Sequence, residues 1–134
     1  MTSRMGELGG RLKGPPEEKT AYLIEMRLDV QSDATVVVCM AGRLDLVSSG
    51  EVKRRLGEVI AGGHRNIVVD LAGISSIDSS GLGALISALK AARVAGGDMR
   101  IARPGDQARL VLDLTTLDRV LHPYATVEEA LADL

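Results

Sequence analysis

The chain has 134 residues, of which 46% are hydrophobic and 25% charged, and its net charge is −2. That length fits a single domain with a core large enough to need no disulfide or structural metal. The slight negative charge argues against a protein that holds nucleic acid through phosphate electrostatics, and the absence of Trp and Phe removes the stacking platforms of single-strand binders.

Residues 1–20, within "MTSRMGELGGRLKGPPEEKTA", are rich in Gly, Pro and charge and show no periodicity. They are expected to be a flexible tail ahead of a domain over residues 21–134. The stretch lacks the apolar centre of a signal peptide, and no apolar run approaches the roughly 20 residues of a membrane span. The expected location is therefore the cytoplasm. "AYLIEMRLDV" alternates from Tyr22 to Leu28, "QSDA" supplies turn chemistry, and "TVVVCMAG" is a β-branched run. Together they predict a hairpin whose second strand is covered on both faces.

In "RLDLVSSGEVKRRLGEVIAGG", Val52, Leu56, Val59 and Ile60 fall at helical spacing. Ser48 or Ser49 is placed to cap the helix and Gly62-Gly63 to end it. Lys53, Arg54 and Arg55 read as its solvated face. "RNIVVDLAG" predicts a short buried strand over 66–71. A second helix follows, with Leu82, Leu85, Ile86 and Leu89 on one face, stopped by the glycines at 96 and 97. "DMRIAR" is another strand, "GDQARLVLDLTTL" a third helix, and "DRVLHPY" a short strand or extended link. "TVEEALADL" closes the chain as a helix, with Thr126 as cap and Glu129 at the capping-box position. Helices alternating with single buried strands imply parallel crossovers. The expected architecture is α/β, with a mixed, mostly parallel sheet of four to five strands and about four helices.

Cys39 lies in an apolar run and reads as a buried small hydrophobe. One cysteine and two distant histidines, His64 and His122, do not make a metal site. No metal or cofactor is expected.

The informative stretch is "SSIDSSGLGALISALKAAR", residues 75–93. A strong amphipathic helix begins there with Gly81 and Gly83 in its first turns, each costing about 1 kcal/mol relative to alanine. Asp78, Ser79 or Ser80 would each cap a helix well, but capping uses one residue and leaves the glycines unexplained. A phosphate-binding loop lacks its Lys and its glycine spacing. A nucleophilic serine lacks the flanking glycines of an elbow and an evident base, and "SALK" at 87–90 lacks companion motifs. A regulatory serine uses every residue. The glycines open the surface to a partner, and a phosphate beside Asp78 would add about −1.5 to −2 charges, which a buried contact cannot desolvate without paired cations.

The region "NIVVDLAGISSIDSSGLGALISALKAAR" resembles the signature of the anti-sigma factor antagonists, stand-alone domains of the STAS family. "GRLDLVSS", "GGDMRIARP" and "LVLDLTTLDRVLHPYATVEEAL" match in order, so the resemblance spans residues 22 to 132. It implies a single STAS-type domain and a partner-switching mechanism rather than an enzyme. The unphosphorylated antagonist would bind an anti-sigma factor serine kinase, which uses ATP and Mg²⁺, and thereby release a sigma factor. The kinase would phosphorylate the serine after the motif's Asp, Ser79, and a serine phosphatase would reverse this. The implied docking face comprises Asp45, Asp78, Ser79, Ser80, Gly81 and Leu82. Arg43 departs from the family, whose members commonly carry an acid there. Two rivals remain: a constitutive STAS scaffold in a stress-sensing or lipid-transport assembly, and a small hydrolase using Ser79 or Ser80. No coiled-coil or edge-pairing signal stands out, so a monomer is expected.

Overall fold

The computed structural model describes residues 24–134. The tail expected over 1–20 and the start of the first strand at Tyr22 lie outside the described residues. β1 (Glu25–Val30) and β2 (Thr35–Leu44) form the expected antiparallel hairpin. Its turn is closed by the N–H groups of Gln31 and Ser32, which both donate to the Thr35 carbonyl at 2.9 and 3.2 Å. β3 (Asn66–Ile77), β4 (Asp98–Ala102) and β5 (Pro123–Tyr124) follow, each parallel to its neighbour, in the spatial order β1-β2-β3-β4-β5. The helices are α1 (Ser49–Ala61), α2 (Ser79–Val94), α3 (Asp106–Thr115), α4 (Asp118–Leu121) and α5 (Val127–Ala132).

The mixed sheet has its full five strands, but there are five helices where about four were expected. The extra one is α4, within the segment read as a strand or link. Thr116 in the left-handed region (φ 57°) ends α3, and the chain makes a further turn that buries Leu121 completely. His122, also left-handed, then releases it into β5.

Four helices, α1 to α4, pack on one face of the sheet, the short α4 through Leu121. Val36, Val38, Met40, Ile67, Val69, Leu71, Met99 and Ile101 point into a core shared with Val52, Leu56 and Ile60 of α1, Leu82, Leu85 and Leu89 of α2, and Leu112 of α3. Burying each such aliphatic side chain is worth about 1.5–3 kcal/mol. The other face meets only α5, which packs Ala130 on Val37, Val68 and Ala102. Thr126 caps α5 as expected, its hydroxyl accepting from the Glu129 N–H at 3.0 Å. A helix of 6 residues is only about 9 Å long. β2 is therefore covered on both faces only over Val36–Val38, and Cys39 is half-buried rather than buried as expected.

The largest departure from the sequence reading is the length of β3. A strand over 66–71 and a loop to Asp78 were expected. Instead the strand runs unbroken to Ile77, and Asp78 follows it directly. β4 stops pairing at Asp70↔Ala102, so residues 71–77 project beyond the sheet with β2 beside them. Two features make this arm possible. Gly73 lets β2 approach where a Cβ would sit 2.7 Å from the Met40 carbonyl. On the free edge, the Gln107 side chain replaces a strand: its Oε1 accepts from the Ile77 N–H at 2.8 Å, and its Nε2 donates to the Ile77 carbonyl at 2.9 Å.

Candidate functional site

The arm delivers Asp78 to the N-terminus of α2. Asp78 has extended backbone angles and is the helix cap: its Oδ1 accepts from the Gly81 N–H at 2.9 Å. Its Oδ2 accepts from the Leu46 N–H at 3.2 Å, and its own N–H donates to the Leu44 carbonyl at 3.2 Å. One carboxylate thus ties the helix start to the loop between β2 and α1. That loop is folded on itself. Asp45 Oδ1 accepts from the N–H groups of Val47 and Ser48 at 3.1 and 3.4 Å. Buried Ser48 donates its hydroxyl to the Arg43 carbonyl at 2.7 Å and accepts from the Asp45 N–H at 3.1 Å. The hydroxyl expected to cap α1 therefore pins the loop instead, and no side chain caps that helix from Ser48.

The structure brings Asp45, Asp78, Ser79 and Ser80 to one end of the fold, with Ser79 exposed and Ser80 half-buried. Two of the expected contact residues are different in kind. Leu82 is 1% exposed and belongs to the core. Gly81 is buried, and a Cβ there would lie 2.1 Å from the Leu44 carbonyl. These two shape the site from beneath and offer a partner nothing directly, which corrects the reading that Gly81 bares the surface. Gly83 does bare it: the glycine is exposed, and a Cβ would meet nothing within 4 Å. Residue spacing did not single out Leu46 and Val47, 74% and 68% exposed on the tied loop. Arg43 is also exposed and pairs with Asp45 at 3.1 Å. Ser79 and Ser80 have no nearby base in His64, which precedes β3 at the end opposite the motif. Among the described residues no cluster of His, Cys, Asp or Glu could hold a metal ion.

This end of the α/β frame presents an exposed serine at a helix start, an open glycine one turn on, and two exposed apolar side chains on the loop tied to that helix. The STAS domain profile matches residues 25–130. The chain belongs to the STAS domain family. A Thermotoga maritima protein assigned as an anti-sigma factor antagonist is 34% identical over 77 residues, 58% of this chain and 68% of that protein. The anti-sigma F factor antagonist of Paenibacillus polymyxa is 26% identical over 113 residues, covering 81% of this chain and 97% of the relative. The crystal structure of an anti-sigma factor antagonist from Mycobacterium paratuberculosis superposes with a TM-score of 0.72 at 25% identity, over 82% of this chain and 92% of that one. No helix among the described residues is long and apolar enough to cross a membrane.

A second feature lies on the open face of the sheet, past α5. There Arg103 binds Asp70 through two hydrogen bonds, Nε to Oδ1 at 3.0 Å and Nη2 to Oδ2 at 2.6 Å. The pair lines a shallow cavity of about 480 Å³ with Arg27 and Cys39. Burial works to raise the Asp70 pKa, but the Arg103 guanidinium and the Ala72 N–H outweigh it and hold the carboxyl below the usual range. Because the folded value lies below the unfolded one of about 3.9, this stabilisation is complete above that pH. It is lost as pH falls through the folded value. Asp70→Asn is therefore expected to cost about 1–2 kcal/mol at neutral pH, with the gap to wild type closing as pH falls below about 4. Urea unfolding midpoints at several pH values check this; a gap that stays constant into acid contradicts it.

Proposed function

We propose that this chain is an anti-sigma factor antagonist that works by partner switching at Ser79. Unphosphorylated, it binds an anti-sigma factor that is also a serine kinase, and so releases a sigma factor. The kinase phosphorylates Ser79, the complex dissociates, and a serine phosphatase restores the binding form. The observation that carries this reading is the exposure of Ser79 as the first residue of α2, beside the Asp78 cap. A phosphate there gains from the unpaired N–H groups and positive dipole end of the helix in the free protein. In a complex it would face burial beside the Asp78 carboxylate, and a dianion is costly to desolvate without cations. Gly83, Leu46 and Val47 supply the open and apolar surface around the serine.

The test is a pull-down from the native host's lysate with Ser79→Ala and Ser79→Asp baits, identification of captured proteins by mass spectrometry, and phosphosite mapping with the captured kinase. Ser79→Ala is expected to retain an ATP-binding serine kinase that Ser79→Asp loses by at least about tenfold, and the mapped site is expected to be Ser79. Identical capture by both baits would replace this reading with the constitutive scaffold. Modification of Ser80 alone would sink the assignment of Ser79.

A further inference from the structure

Among the described residues β1 has no neighbour on its outer side. Leu28 is 47% exposed and Val30 56%, alternating with exposed Arg27 and Asp29, and the unpaired backbone of an edge strand is a template for another strand. The outward-facing groups can be assigned residue by residue. The Gln31 N–H donates to Thr35 at 2.9 Å, and β1 runs antiparallel to β2 in the register Val30↔Val36. Alternation along the ladder then turns the backbone groups of Asp29, Arg27 and Glu25 toward β2. The N–H and C=O of Met26, Leu28 and Val30 turn outward. The Met26 carbonyl agrees with this assignment: it accepts from the Arg55 guanidinium at 3.4 Å rather than from β2.

We propose that β1 pairs with β1 of a second copy of this chain, antiparallel about a two-fold axis at Leu28. In this register Leu28 and its counterpart exchange N–H···O=C bonds, and Met26 does the same with Val30 of the other copy. Every outward group of the strand is used. Leu28 meets Leu28 and Met26 meets Val30 on the helix-covered face, at the mouth of a cavity of about 330 Å³ lined by Met26, Leu28, Arg55, Val59 and His64. Arg55 yields the Met26 carbonyl to the incoming Val30 N–H. On the open face Arg27 of each copy stands opposite Asp29 of the other, giving two cross-strand pairs of opposite charge.

The neighbouring registers are poorer. Centring on Arg27 sets Arg27 against itself and Glu25 against Asp29. Centring on Asp29 sets two aspartates together. Centring on Met26 pairs Glu25 with Arg27 but places Leu28 against Ile24, which lies outside the strand and is 4% exposed. The interface is isologous, as closed two-fold assembly requires. The two β2–β3 arms point in opposite directions, so each Ser79 face stays open.

Sedimentation velocity of the full chain over a concentration series tests this, with Arg27→Asp and the double variant Arg27→Asp/Asp29→Arg. Both side chains are exposed, so neither change tests the core, and circular dichroism confirms the fold. The wild type is expected to dimerise reversibly. Arg27→Asp sets Asp against Asp29 twice and is expected to weaken the dimer about tenfold or more. The double variant restores opposite charges at both positions and is expected to return to within about threefold of wild type. A wild-type chain that remains monomeric throughout overturns the proposal. A double variant as weak as the single one overturns the register.

Discussion

Gly81→Ala is expected to destabilise the domain by about 3 kcal/mol or more, a large share of the roughly 5–15 kcal/mol that holds a domain of this kind together. Its Cβ would sit 2.1 Å from the Leu44 carbonyl oxygen and 2.8 Å from the Leu44 side chain. Neither neighbour is free to give. Leu44 is fully buried, and its carbonyl is held by the Asp78 N–H at the arm's tip. Relief requires α2 to lift off β2, which would open the Leu82 and Leu85 contacts of the core. Gly83→Ala, two residues on, has the opposite sign. Nothing lies within 4 Å of its Cβ position, and replacing an exposed helical glycine with alanine stabilises by about 0.5–1 kcal/mol. Urea or thermal unfolding of the two variants checks the pair. Similar losses for both would mean that α2 does not sit flush on β2.

That contrast shows where sequence reading stops. The amphipathic faces of α1 and α2, the hairpin and the alternation of strands and helices along the chain were legible because each rests on local periodicity and turn chemistry. Asp78 and Ser79 were legible as a helix start for the same reason. The two glycines looked alike in sequence, yet one is excluded from bearing a side chain by a strand 37 positions away in the chain and the other by nothing in the domain. The continuation of β3 through "AGISSI" was missed because its last residue, Ile77, is paired on the outer edge by Gln107, a side chain from another helix with no periodic signature. Leu46 and Val47 were passed over as the lead-in to a helix. Their exposure follows from long-range ties, the Asp78 bond to the Leu46 N–H and the Ser48 hydroxyl on Arg43.

Substitutions at Asp78 are expected to separate its two roles. Asp78→Ala removes the acceptor for the Gly81 N–H and the acceptor for the Leu46 N–H together. Loss of an N-cap costs about 0.5–2 kcal/mol, and the exposed loop bond adds up to about 1 kcal/mol, for a total near 2 kcal/mol. Asp78→Asn behaves differently, because asparagine caps helices as well as aspartate does. Its carbonyl oxygen can take the place of Oδ1 on the Gly81 N–H. Its amide group then stands where Oδ2 was, facing the Leu46 N–H donor to donor, so the loop tie is broken while the cap survives. The expected result is a stability loss of up to about 1 kcal/mol, from the loop tie alone, and faster hydrogen exchange at the Leu46 amide, with exchange along α2 unchanged. If the loop carries part of the docking surface, Asp78→Asn also weakens capture of the kinase by Ser79→Ala bait, although the serine face and the fold are intact. Unaltered exchange at Leu46 in the asparagine variant would mean that Asp45 and Ser48 hold the loop unaided, and that the motif's aspartate acts on the helix alone.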